Sequence, residues 1–192
     1  MNAASPLAKP GPWVLALMVL IAGMSRLLPH AWNFTPVEAM ALFGGAYFAR
    51  RSLAILVPLA GVVLSDIAMA INTGGLYADY FFGPSFFAVY AAIALSAVLG
   101  FALRGRVGVL RVAGAGLAGS LLFFLLTNFA VWATATDVAA YPACTTGLIE
   151  CYVAGIPFIR GTLLGTAVWS LILFGGYELL RRRYPLLTAQ TA

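Results

Sequence analysis

Apolar residues run along most of this chain in unbroken stretches and do not alternate with polar ones. Six stretches stand out, at 12–29, 36–49, 52–71, 86–103, 112–134 and 158–180. The first is interrupted only by Ser25 and Arg26 and the second by Glu38; the third carries Ser65 and Asp66 near its end. The fourth and fifth hold no charge, and the sixth has Arg160 near its start and Glu178 near its end. At 1.5 Å rise per residue, helices over these stretches reach roughly 21 to 35 Å. Five match a bilayer core comfortably, and 36–49 is marginal. Backbone in lipid must satisfy its own hydrogen bonds, and the runs are too long and too uniformly apolar for barrel strands. The pattern predicts an all-α, polytopic membrane protein with six transmembrane helices within 12–183. Tails at 1–11 and 184–192 flank them. A cleaved leader over the first run is disfavoured, because no small-x-small site follows it.

Composition narrows the class. Of 192 residues, 62% are apolar and 9% charged, and the mean hydropathy is +0.97. A soluble domain runs nearer half apolar and a quarter charged, so neither a soluble globule nor a disordered chain fits. The net charge of +5 comes from small clusters between the apolar runs. With no basic stripe, nucleic acid is excluded as a partner and the bilayer is the first one.

Those clusters set an orientation. With the N-terminus in the cytoplasm and six helices threaded, all of the 11 Lys and Arg residues except Arg26 and Arg160 fall inside. Both tails are then cytoplasmic, in a bacterial inner membrane. If 36–49 were re-entrant, there would be five spans and an external N-terminus, and the charge rule loses only Lys9. In the six-helix arrangement Glu38, Asp66, Asp79, Asp137 and Glu150 gather on the outer side with Arg26 and Arg160. Charges within spans are costly, roughly 2.5–3.5 kcal/mol at mid-helix on insertion scales, and they pair or line a wet cavity. Arg26 is expected to pair with Glu38 or Asp66. A structural ion-pair cluster and an outward-open pocket are equally weighted readings of these groups.

Other residues join them. Asn128 and Trp132 stand at i and i+4, and so share a helix face; blandly, they are an interhelical hydrogen bond and an interfacial tryptophan. Asn33 is expected to cap the second helix. The 72–85 loop holds Tyr77, Tyr80, Phe81 and Phe82, as an outer aromatic belt or, as the minority reading, a lid over a ligand. The 135–157 loop is the longest. It is expected to form a short interfacial helix before Pro157, and its Cys144 and Cys151 could form a disulfide or ligate a metal. One His and two Cys at irregular spacing match no standard zinc pattern. Small residues at Ala88, Ala92, Ser96 and Gly100, and at Ala115, Gly116, Gly119 and Ser120, point to close helix packing, and Gly44 and Gly45 thin the second helix.

Catalytic motifs are absent. The chain contains no G-x-x-x-x-G-K-[ST], no H-E-x-x-H and no G-x-S-x-G, so no enzyme and no cofactor is implied.

The stretch Arg26-Leu27-Leu28-Pro29-His30-Ala31-Trp32-Asn33-Phe34-Thr35-Pro36-Val37-Glu38-Ala39 resembles the start of a small bacterial membrane family, DUF6580. Leu42-Phe43-Gly44-Gly45-Ala46-Tyr47-Phe48, Ser65-Asp66, Thr127-Asn128-Phe129, Tyr141-Pro142, Gly147-Leu148 and Ile156-Pro157-Phe158 resemble it too, in order, over roughly residues 26 to 180. That family is described as transport proteins and is similar to the substrate-binding S-components of energy-coupling factor (ECF) transporters. The resemblance implies an S-component-like six-helix bundle, a short second helix, and an outward-facing vitamin or micronutrient pocket. The Asp66 end of helix three, the 72–85 loop, Asn128, Trp132 and Arg160 would flank it. It also implies an ECF coupling subunit and ATPases as partners. Helix one lacks the Ala-x-x-x-Ala docking ridge of many S-components, which leaves solitary action open, and Thr166 stands where the family often has an aspartate.

The sequence therefore predicts uptake of a small molecule, with Arg26, Glu38, Asp66, Tyr80, Asn128, Trp132 and Arg160 at the pocket. On the transport role that the resemblance implies, Arg26 and Arg160 are expected to meet anionic groups, with Asp66 and Glu38 orienting them. Cobalamin is one candidate, through an outer cysteine or histidine. The rival class is a structural scaffold of the cell envelope, without a ligand. A wet outward-open pocket holding Arg160 and Asp66 favours the carrier; a tight bundle with those charges paired off favours the scaffold.

Overall fold

The computed structural model of the chain describes residues 10–73, 84–135 and 141–190. Within them every regular element is helical. These are α1 (Pro10–Met24), α2 (Val37–Tyr47), α3 (Arg51–Thr73), α4 (Pro84–Gly100), α5 (Val109–Thr134), α6 (Pro142–Thr146), α7 (Leu148–Ser170) and α8 (Gly176–Arg183). Short 3₁₀ turns follow α1 and α4, and a π-helical turn, Leu171–Gly175, joins α7 to α8. Five helical stretches among the described residues are long and apolar enough to cross a membrane: Pro10–Leu27, Arg51–Thr73, Phe86–Leu103, Val109–Thr134 and Leu148–Arg183. Their outer faces carry exposed apolar side chains at helical spacing, such as Leu117, Leu121 and Leu125 on α5, as lipid-facing surfaces do.

The stretch 36–49 forms a helix of only 11 residues, about 16 Å long, short of a bilayer core. Yet each residue from Val37 to Tyr47 is buried, and α2 packs against α1, α3, α4, α5 and α7. A helix apolar all round has no solvent-facing side and belongs in the middle of a bundle. The glycines make this position possible. A Cβ on Gly45 would run into the Ala97 carbonyl and the Gly100 backbone, and one on Gly44 into Pro58 and the Ala54 carbonyl. The backbones of α2 and α4 thus touch at Gly45 and Gly100.

Contacts fix the relative directions of α1, α2, α3 and α7. Gly23 lies against Gly61 and Arg26 against Asp66, so α1 and α3 run in parallel. The chain must come back between them. It does so along α7: the Trp32 carbonyl lies against Gly161, Thr35 against Gly165, Phe43 against Phe174 and Tyr47 against Glu178. These contacts advance together, so the 28–36 segment and α2 together descend beside α7. At the far end of α2 the rings of Phe43, Tyr47, Phe174 and Tyr177 form an edge-on cluster. The Tyr47 hydroxyl donates to Glu178 Oε1 at 2.6 Å, and Arg181 pairs with Glu178 Oε2 at 2.6 Å. A buried helix end leaves carbonyls to be satisfied. Arg104 supplies the donors, Nε to the Gly45 carbonyl and Nη2 to the Phe48 carbonyl, both at 2.9 Å, with its guanidinium 4.3 Å from the centre of the Phe101 ring.

Two expectations change. The final span begins at Leu148, ahead of 158, because Pro157 is absorbed within α7; packed neighbours can meet the groups a proline frees. Asn33 does not cap α2. Pro36 stands at the N-cap without a side-chain bond, and Asn33 takes the left-handed conformation, φ 56°, which asparagine tolerates.

Gly45→Ala is expected to destabilise the protein by about 1–3 kcal/mol, the range for overpacking a close contact. Gly114→Ala, with no atom near its Cβ position, is expected to be neutral or stabilising by up to about 1 kcal/mol. Thermal unfolding of the two purified variants in detergent checks the contrast.

Candidate functional site

Above the first turn of α2 the bundle is not filled. A cavity of about 440 Å³ opens there, within the usual 300–1,000 Å³ range for small-molecule sites. Its walls come from the turn after α1, the 28–36 segment, the middle of α3, the starts of α2 and α4, the second half of α5, and α6 and α7. Trp32 (84% exposed) and Tyr141 (40%) stand at its rim, while Glu38 and Asp66 (each 1%) lie at its base. Phe86, Phe123 and Phe158 supply apolar wall, and Trp32 meets Phe158 edge-on.

The base is organised by an ion pair. Arg26 projects from the 3₁₀ turn after α1, and its Nη1 lies 2.7 Å from Asp66 Oδ1. The same nitrogen donates to Ser65 Oγ, whose hydroxyl in turn donates to the Val62 carbonyl at 2.8 Å. Tyr90 Oη donates to Asp66 Oδ2 at 3.1 Å. Asp66 thus holds a cation on one oxygen and a phenol on the other, joining α1, α3 and α4. Glu38 is different. It lines the same cavity in the first turn of α2, and its Oε2 has no hydrogen-bond partner among the described residues. Opposite, Asn128 Nδ2 donates to the Phe124 carbonyl at 2.8 Å, which leaves Oδ1 as its side-chain acceptor, next to Gly155. The hydroxyls of Thr127 and Thr162 also turn back to carbonyls four residues earlier.

Of the residues singled out from the sequence, Arg26, Glu38, Asp66 and Asn128 converge on this cavity. Arg160 and Trp132 are not among its walls and are exposed. Phe158 and Thr162 face the cavity, and a residue two positions from each on a helix points away. Trp132 stacks obliquely on Phe129 near the end of α5, about 40° around the helix from Asn128. Tyr80, with Tyr77, Phe81, Phe82, Asp79 and Asp137, lies outside the described residues. Thr166 meets Ser120 at 3.0 Å between α7 and α5, away from the base. Trp32 and Tyr90 were not anticipated at the site. Trp32 sits in the 26–39 stretch, but a loop tryptophan carries no phase signal. Tyr90 falls in a run that reads only as a span.

Cys144 and Cys151 are joined by a disulfide in the cavity wall. His30, exposed, makes a 2.7 Å contact from Nδ1 to the Leu28 carbonyl. Neither cysteine is free to hold a metal, so the route suggested for cobalamin through a thiol is closed.

Residues 7–187 match a family of unknown function, DUF6580, and the chain belongs to that family. No curated protein and no solved structure matches the chain.

Removing one partner from the ion pair leaves a charge without compensation. Asp66→Asn is expected to cost about 3–5 kcal/mol of stability, and the double variant Arg26→Met with Asp66→Leu to recover most of that loss. Unfolding midpoints of the single and double variants check it. Iodoacetamide is expected to label neither cysteine in the denatured, unreduced protein and both after reduction, read by intact mass.

Proposed function

We propose that this protein binds a small organic nutrient from the extracytoplasmic side of a bacterial inner membrane and serves its uptake, in the manner of an ECF S-component. The observation that carries the reading is the cavity. It is roomy, aromatic-walled and open at a rim, and its base holds buried polar groups from several helices. Such a combination is the ordinary form of a small-molecule site.

The two ends of α2 support this orientation. Arg51 and Arg104 lie over the Phe101 ring, and Arg181 pairs beside Tyr47, all at the end away from the cavity. Basic residues favour the cytoplasmic side, so the cavity faces outward. A disulfide in its wall fits the same assignment, since disulfides persist outside the reducing cytoplasm. The parallel run of α1 and α3, with α2 descending between them, supports six passes and two cytoplasmic tails. The second pass is then a half-helix preceded by the irregular 28–36 segment, tolerated because it lines a cavity and is packed in protein. No nucleotide-binding loop is present in the sequence, so energy must come from partner subunits such as an ECF coupling protein with its ATPases, or from the ligand's own gradient if the chain acts alone.

One observation favours the scaffold reading: the Arg26–Asp66 charges are paired off, and Arg160 stands outside the cavity. The two readings separate in one experiment. Small molecules released from the detergent-purified protein are identified by mass spectrometry, beside a Thr127→Trp variant that fills the cavity. The carrier reading expects a compound held by the wild type and lost from the variant, with both proteins monodisperse. Identical small-molecule profiles would favour the scaffold.

A further inference from the structure

We infer that the cavity selects organic molecules bearing a positively charged nitrogen, which Glu38 meets at the base. The inference rests on the cavity being a binding site and names the class of ligand it takes.

The argument is one of charge balance. Among the described residues the charged groups lining the cavity are Arg26, Glu38 and Asp66. Arg26 lies 2.7 Å from Asp66 and is close enough to Glu38 to attract it as well, so one guanidinium faces two carboxylates and the lining carries one acidic group in excess. A guanidinium held by a carboxylate, and also donating to Ser65, has little to offer an anionic ligand. Arg160, the other cation that could have met an anion, is not part of the wall. What remains is one carboxylate, 1% exposed, on a residue that lines the cavity, with its buried Oε2 unpartnered among the described residues. A carboxylate in that setting is costly unless a proton or a cation meets it.

The shape of the site says which kind of cation. A hard metal ion such as calcium needs six or more oxygens, and no group of three or more metal-ligating side chains exists among the described residues. A space of about 440 Å³ is far larger than an ion needs. Its rim and walls are aromatic: Trp32, Phe86, Phe123 and Phe158. Aromatic faces attract organic cations and cover flat apolar bodies. Asn128 Oδ1 adds an acceptor on the wall across from α2. An ammonium or amidinium on an aromatic or aliphatic body satisfies all of these groups together, its N–H donors turned to Glu38 and its body to the rings.

The test uses three probes that share one body and differ only in charge: tryptamine, tryptophol and indole-3-propionate. Binding to the full chain in detergent is measured at neutral pH by titration calorimetry and by the thermal shift. The expected order is tryptamine first, at least ten-fold tighter than tryptophol, with indole-3-propionate weakest. In Glu38→Gln, which keeps the side-chain shape, the preference for tryptamine over tryptophol should fall to within about three-fold. The wild-type series carries the test even if the variant folds poorly. Equal binding of the three, or a preference for indole-3-propionate, overturns the charge assignment and leaves the binding site standing. No binding of any probe, together with no cavity-dependent compound in the mass spectra, overturns both.

Discussion

The shortness of α2 is the constraint on which the rest of the structure depends. Among the described residues five helical stretches are long and apolar enough to cross a membrane, and they pack around a helix of 11 residues that is too short to do so alone. A bilayer core is about 30 Å thick, and α2 covers about 16 Å of it. The centre of the bundle is therefore filled by helix at one end and must be filled otherwise at the other. At the lower end the filling is dense. Gly45 and Gly100 let backbones touch, four aromatic rings interlock, and Arg104 closes the last carbonyls of α2. At the upper end the 28–36 segment follows α7 only along one wall, and the remaining space is the cavity. Fold and site are two consequences of one short helix.

The position of Glu38 follows from the same constraint. The first turn of a helix carries unsatisfied N–H groups and the positive end of its dipole, both of which favour a carboxylate. In a full-length span that turn would sit near the interface, where water could reach the side chain. Here it sits part-way down the bundle, so the carboxylate is buried and water reaches it only through the cavity. Asp66 is buried to the same extent but is met by Arg26 and Tyr90. The two acids differ in their partners: Asp66 is a joint between helices, and Glu38 is the acid to which the proposed reading gives the ligand's cation.

Much of this was legible in the sequence, for a physical reason. Charge is so costly in lipid that ionisable residues within apolar runs tend to converge or pair; Arg26, Glu38 and Asp66, with the polar Asn128, reach the cavity, and the exposed Arg160 does not. The marginal length of 36–49 was visible too, and with it the weakness of that span. Arg160 and Trp132 lie outside the cavity walls: Arg160 is turned away from Phe158 and Thr162 on its helix, and a uniformly apolar helix gives no phase from which to read that. The start of α7 was hidden by Pro157, which reads as a boundary in isolation and is tolerated in a packed helix. Which acid pairs with Arg26 depended on the parallel run of α1 and α3, a tertiary fact with no local signal.

The energetics of Glu38 bear on the choice between a carrier and a scaffold. A scaffold is stabilised by close packing and by paired charges, as the Arg26–Asp66 joint and the Gly45–Gly100 contact show. A buried carboxylate oxygen without a hydrogen-bond partner does the opposite, at a cost of roughly several kcal/mol when no cation answers it. A leucine or glutamine at the same helical position would remove most of that cost and leave α2 intact. A void beside the carboxylate likewise forfeits the dispersion contacts that filling side chains would make. Both features lower the stability of the empty bundle, and under the proposed reading both are answered by a cationic molecule entering from the rim. Binding such a molecule raises the stability of the folded state by mass action. The parts of the site that weaken a structural element are therefore the parts that give a binding protein its affinity.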